Sequence, residues 1–269
     1  MDKQRRKFLK IAGASVVAGL GVPVIMKLSG EPAHAAGGNA AAAKDTLTKE
    51  ASKAVRLGMV IDMRIFTDKP ELLDDAISSC INAHNVPQFP DKKNEIKWLW
   101  KAPFKNVFPY HSSSYASKKI GKVDFAVLCN HCDEPPCVRA CPTQATFRAE
   151  SNGIIAMDMH RCIGCRFCMA ACPYGARSFN YQDPRPYITK YNNEFPTRMK
   201  GVVEKCNFCA ERLALGQEPA CVEACQGTGA IIFGDLNDPG SELRAVLDKE
   251  FTIQRKPTLG TKPSVFYIV

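Results

Sequence analysis

Thirteen cysteines, eight of them crowded between Cys129 and Cys172, constrain this chain more than any other feature. The first four stand as C-x2-C-x4-C-x3-C-P at Cys129, Cys132, Cys137 and Cys141. The next four stand as C-x2-C-x2-C-x3-C-P at Cys162, Cys165, Cys168 and Cys172, with twenty residues between the runs. The second spacing is one that holds 4Fe-4S clusters, and the first differs from it by two residues before its third cysteine. Three thiolates on one tight loop can face three irons of a cubane, while the fourth, beyond the x3 spacer, points to a neighbouring cluster. Two such runs therefore exchange their last ligands. This pairs Cys129, Cys132 and Cys137 with Cys172 as a first set, and Cys162, Cys165 and Cys168 with Cys141 as a second.

Zinc also binds C-x2-C pairs, but a four-thiolate zinc site has no use for a third close cysteine or for a repeated C-P ending. Disulfides fit no better, because the count is odd and such close residues are poor partners for a bridge of normal geometry. A third loop follows: Cys206 and Cys209, then eleven residues, Cys221, three residues and Cys225. It has the same plan with one ligand displaced by an insertion.

The formal charge of +9 suggests nucleic acid at first sight. However, the first 35 residues carry six Lys and Arg against two acids, which leaves +5 on the rest. Each oxidised cubane with four thiolates contributes roughly −2, so three of them bring the loaded protein near neutrality. A nucleic-acid partner is excluded on that arithmetic.

Residues 1–35 read as an address. Gln4-Arg5-Arg6-Lys7-Phe8-Leu9-Lys10 resembles the twin-arginine export consensus, an apolar run from Ile11 to Met26 follows, and Ala33-His34-Ala35 is an A-x-A cleavage site. The alternative is a retained anchor, for which the run is short and broken by Gly and Pro. Export of folded cargo suits clusters inserted in the cytoplasm. The expected location is therefore periplasmic or extracytoplasmic, peripheral to the membrane. Residues 36–54 are small and polar and read as a tether.

Further along, GMVIDMR from Gly58 alternates like a half-buried strand, with Met59, Ile61 and Met63 on one face. Residues 70–82 read as a helix ending near Cys80, and 85–117 as a long packed loop in which Trp98 and Trp100 are core or interface material. A hairpin is expected around Glu150-Ser151-Asn152-Gly153. AIIFGDL at 230–236 is a strand able to pair with GMVIDMR, and 238–248 is a short helix capped by Ser241. The tail from Arg255 reads as an extended arm. There is no C-x-x-C-H, no dinucleotide fingerprint, no Ser-His-Asp set and no H-E-x-x-H. His84, His131 and His160, and the cations Arg139, Arg161, Arg166, Arg177 and Lys205, lie near the cysteines as candidates for tuning a cluster or for plain packing and solubility.

Three stretches together carry a resemblance. They are C-N-H-C-x-x-P-P-C-V-x-x-C-P, R-C-I-G-C-R-x-C-M-x-A-C-P-Y-G-A-R and E-K-C-x-F-C-x-x-R-x-x-x-G-x-x-P-A-C-V-E-A-C. From about Gly58 onward the chain resembles the iron-sulfur subunits of the molybdoenzyme and polysulfide-reductase type. Within them it is most similar to the exported subunits of Dsr-type membrane complexes linked to dissimilatory sulfite reduction. Hydrogenase, nitrite and polysulfide reductase subunits are close relatives.

The resemblance implies an α+β fold of two interleaved bacterial-ferredoxin-like domains with long loop insertions. The outer domain is 55–122 with 178–269 and holds one cluster; the inner is 123–177 and holds two. It implies an integral membrane quinone-interacting partner, with a multihaem cytochrome c or similar redox subunit as a further candidate. It also pairs the third loop with a degenerate first one, so Cys206, Cys209 and Cys221 take Cys80 as fourth ligand, with Cys225 as the alternative. Three family cysteines are missing there, and Pro70, Leu73 and Ala76 stand at their spacing. The expected cofactors are thus three 4Fe-4S clusters, and the expected role is electron transfer without turnover. A self-standing reductase would need an open iron or a general acid or base, and twelve cysteines matched to three closed clusters leave none.

Overall fold

The computed structural model describes residues 55–111 and 120–269. The segments expected to be an export signal with its cleavage site and a tether lie outside the described residues. Strand β1 (Leu57–Asp62) is the centre of a three-stranded sheet. It runs antiparallel to β8 (Ile231–Asp235), with Met59 opposite Phe233 and Ile61 opposite Ile231. On its other edge it runs parallel to β9 (Val265–Ile268), with Ile61 opposite Tyr267. The expected partnership of the 58–64 and 230–236 segments is present. The expectation of an extended C-terminal arm holds only to Ser264, because the last residues are a core strand with Val265 and Tyr267 fully buried. A central strand covered on both faces explains why Val60, on the face opposite Met59 and Ile61, is also buried.

Met63 leaves the strand to begin helix α1 (Met63–Asp68), whose N-cap Asp62 accepts from the Arg64 amide. Helix α2 (Pro70–Ala83) starts with Pro70 at its first turn, where the missing N–H costs nothing. It buries Leu73, Ala76 and Cys80 on one face. The 85–117 segment carries more structure than a loop: β2 (Trp100–Pro103) pairs antiparallel with β3 (Asp124–Val127), and α3 (Phe104–Val107) joins them to a cluster of Phe104, Phe108, Phe125 and Tyr267. The hairpin expected around Glu150 is β4 (Thr146–Arg148) with β5 (Ile155–Met157), turned by Gly153 at φ 71°. Strands β6 (Ser178–Phe179) and β7 (Val203–Glu204) form a second small ladder. Ser241 caps α8 (Glu242–Lys249) by accepting from the Arg244 amide, a bond worth about 1 kcal/mol.

The cysteine loops lie between these pieces, and each is followed by a short helix: α4 (Pro136–Arg139), α5 (Phe167–Ala171), α6 (Ala210–Ala214) and α7 (Ala220–Glu223). The tail clasps the first loop before it enters the sheet. Asp133 and Glu134 donate backbone N–H groups to Lys262 and Thr261, Ser264 donates to Asn130, and Lys256 reaches the Pro173 carbonyl at 2.6 Å. Among the described residues, no helix is long and apolar enough to cross a membrane.

Candidate metal centres

The first C-x2-C pair of each run closes through a left-handed residue at the second intervening position: His131 at φ 42°, Gly164 at 70° and Phe208 at 54°. This turn aims two sulfurs to one side and turns backbone N–H groups toward them; Phe208 donates to Cys206 Sγ at 3.4 Å, and Ala220 donates to Cys209 Sγ at 3.4 Å. The left-handed conformation costs non-glycine residues about 1–2 kcal/mol each. Burial and stacking offset that for His131 and Phe208, whose rings lie face to face at 3.6 Å. At Gly164 an added Cβ would come within 2.5 Å of the Gly201 carbonyl oxygen, so this loop needs glycine for space as well as for φ.

The structure gathers the first eight cysteines into the two groups expected from crossed spacing. Cys129, Cys132, Cys137 and Cys172 line one small cavity, together with Asn130, Ile155 and Arg177. Cys141, Cys162, Cys165 and Cys168 line another. Cys80, presented by α2, lies among Cys206, Cys209 and Cys221, all buried, and their charges act on it. Cys225 is equally buried: burial pushes its thiol up to about 11, the Asp75 carboxylate adds to this, and Cys225 in turn acts on Cys221, whereas it is not among the charges that act on Cys80.

These residues suit iron-sulfur clusters in three ways. Burial first, then mutual repulsion, pushes the Cys132 thiol up to about 12, and raises Cys206 and Cys209 still further. Four buried thiolates can share one site only around positive metal. The Asn130 amide is buried in the wall of the first cavity with neither its nitrogen nor its oxygen partnered, a donor left for sulfur. The third sign is Arg177, whose buried guanidinium donates to Cys137 Sγ at 3.1 Å and Thr146 Oγ1 at 2.7 Å.

The groups are neighbours in one order. Cys129 of the first acts electrostatically on Cys206 of the third, and Cys137 of the first on Cys168 of the second, so the first set stands between the other two. Exposure grades along it: all four cysteines of the third set are buried, two of the first, and only Cys168 of the second. Among the flanking cations, Arg139, Arg161 and Arg166 are exposed, whereas Arg177 and Lys205 are buried. Lys205 donates to the carbonyls of Ile155 and Cys206; burial lowers its pKa, opposed by the Cys129 thiol, while Arg177 lowers it further.

The family profile of the 4Fe-4S dicluster domain matches residues 122–236. The Hdr-like menaquinol oxidoreductase iron-sulfur subunit 1 of Archaeoglobus fulgidus is 37% identical over 98% of this chain and 97% of its own length. This chain belongs to that family of iron-sulfur subunits. The menaquinone reductase iron-sulfur cluster-binding subunit of Nitratidesulfovibrio vulgaris is 34% identical over 80% of this subunit and 89% of its own length. The arsenate respiratory reductase iron-sulfur subunit of a Shewanella species is 39% identical over 80% and 96% respectively. The iron-sulfur subunit described here is accordingly an electron-transfer subunit of an oxidoreductase complex, not its catalytic chain.

Around the third set the iron-sulfur subunit places His84, one of the sequence candidates, with two acids the sequence analysis did not single out. His84 is fully buried, stacked on Trp98 at 4.5 Å, with Nδ1 2.9 Å from the Cys80 carbonyl and Nε2 2.8 Å from Glu211 Oε1. Glu204, fully buried, accepts from Trp98 Nε1 at 3.0 Å and from Asn180. Burial raises its pKa, and nearby Arg198 opposes this. Glu204 opens the E-K-C-x-F-C stretch and Glu211 follows it, but the hydrogen bonding that marks the two acids is visible only in the fold. His160 is exposed, which fits a surface role, whereas His131 is buried between the first and third sets, with Nδ1 accepting from the Ile155 amide at 3.1 Å.

Proposed function

We propose that the subunit relays single electrons through three 4Fe-4S clusters, held by the first, second and third sets, between a quinone-interacting membrane subunit and a soluble redox partner such as a multihaem cytochrome c. The observation that carries this is the order of three four-thiol groups, third beside first and first beside second, with the second the most exposed. Bound clusters supply one-electron chemistry. The chain's part is to hold them in order, dry and at fixed spacing. In this reading Cys80 is the fourth ligand of the third set. Leu73 and Ala76, at the spacing of missing family cysteines, are buried with Cys225 in one apolar core cluster.

The two relatives with menaquinol or menaquinone in their names support a quinone-linked partner for this subunit. A Dsr-type complex of sulfate or sulfite respiration is the specific setting we favour, with export by the twin-arginine route. The inner 123–177 and outer 55–122 with 178–269 segments are read as interleaved ferredoxin-like domains. In support, the outer strands β1, β8 and β9 join segments from both ends of the described chain, on either side of the inner segment in sequence.

Anaerobically purified protein should carry about twelve irons per chain, and its visible absorption should bleach reversibly with a one-electron donor without consuming any substrate. About eight or sixteen irons would overturn the three-cluster reading. Turnover of a substrate by the isolated chain would overturn the relay.

A further inference from the structure

Arg177 is a buried cation without a carboxylate. It is 5% exposed, and its guanidinium partners are the Cys137 sulfur, the Thr146 hydroxyl and, at 3.7 Å, the Met157 sulfur. No acid among the described residues pairs with it, and the groups that hold its charge in place against burial are the thiols of Cys137, Cys168 and Cys129. An arginine stays protonated in proteins, and burying a charge without a counter-charge costs several kcal/mol. Its counter-ion must come from the thiolate sets it touches. Cys137 and Cys129 belong to the first set and Cys168 to the second, so one fixed positive charge stands at the junction of the two. The third set has no such contact with it; the influences on Cys80 come from its own three cysteines and the Leu99 backbone.

We propose that Arg177 sets the reduction potentials of the first and second clusters together. It favours the reduced, more negative state of each, so that an electron on the relay rests on this pair rather than on the third cluster. This rests on the three-cluster reading above. A hydrogen bond to a ligating sulfur and a nearby cation act in the same direction, since both stabilise added negative charge. Lys205, between the first and third sets, cannot replace it at the second, because the cysteines acting on it are Cys129, Cys206 and Cys137.

The test is a mediated redox titration of the full-length loaded protein followed by electron paramagnetic resonance. In the unmodified protein, the signal that Cys80→Ser removes should have the lowest midpoint of the three. Arg177→Gln should lower the other two midpoints by at least a tenfold change in the reduced-to-oxidised ratio, 59 mV for a one-electron couple, and leave the third within error. Arg177→Lys should restore most of the loss. Thr146→Asp, which sets a carboxylate against the guanidinium without removing it, should lower the same two.

A purely structural role predicts otherwise: unchanged midpoints, or equal shifts in all three, in variants with full iron would overturn the proposal. So would a third-set signal that is not the lowest in the native protein, a result that needs no variant at Arg177. An iron count other than about twelve would instead count against the three-cluster reading.

Discussion

Cys80 and Cys225 are two buried thiols of one chain region, and changing each to serine separates their roles. Cys80 sits on the buried face of α2 among Cys206, Cys209 and Cys221, while Cys225 lies past α7 beside Asp75. A serine hydroxyl is a much poorer iron ligand than a thiolate, so Cys80→Ser should cost the third cluster, about four of about twelve irons. The other eight ligands are untouched in their two cavities. Cys225→Ser removes a sulfur that is 2% exposed and buries a hydroxyl in its place, a penalty of about 1–3 kcal/mol. Its iron should stay near twelve, so the loss appears only as a lower unfolding midpoint. Iron and acid-labile sulfide per chain, paramagnetic resonance and anaerobic thermal unfolding are measured on both variants. Loss of a cluster from Cys225→Ser with full iron in Cys80→Ser would refute the reasoning and return Cys225 to the third set.

Gly164→Ala combines a left-handed φ of 70° with a contact of 2.5 Å to the Gly201 carbonyl, so iron should be lost first from the second set; Gly175→Ala, at φ 65° with open space around it, should cost about 1–2 kcal/mol and no iron. Iron content and the second-set resonance decide between them. If the subunit is exported, N-terminal sequencing of the native protein should begin at Ala36, and Met1 intact on protein confined to the cytoplasm would sink the export proposal.

Three thiols of each set were legible in the chain because they are local. A C-x2-C turn followed by a third cysteine and a short helix fixes their directions by backbone geometry alone, and the structure uses the same left-handed turn three times. The strand at Gly58 was legible from its alternation and the hairpin at Gly153 from its turn residues. The last strand was not. Val265-Phe266-Tyr267-Ile268 is a continuous apolar run with no alternation, which suits a buried strand but equally a tail packed on a core. What decides it is its parallel pairing with β1 at the other end of the described chain.

Distance along the chain limits the reading of the site in the same way. The placement of Cys80 depended on family resemblance, because nothing near it in sequence says that α2 carries it to a loop far downstream. Arg177 is harder still. Five cations crowd the cysteine loops in sequence, and what sets this one apart is the absence of a paired acid around a buried guanidinium. Arg139 and Arg161, as close to cysteines along the chain, pair with Glu134 and Asp158 at the surface, where water and salt screen such pairs to roughly 1 kcal/mol or less. A charge can act strongly on a neighbouring cluster only where nothing nearer neutralises it and water is excluded. In this fold the interior between the first and second sets meets both conditions at Arg177.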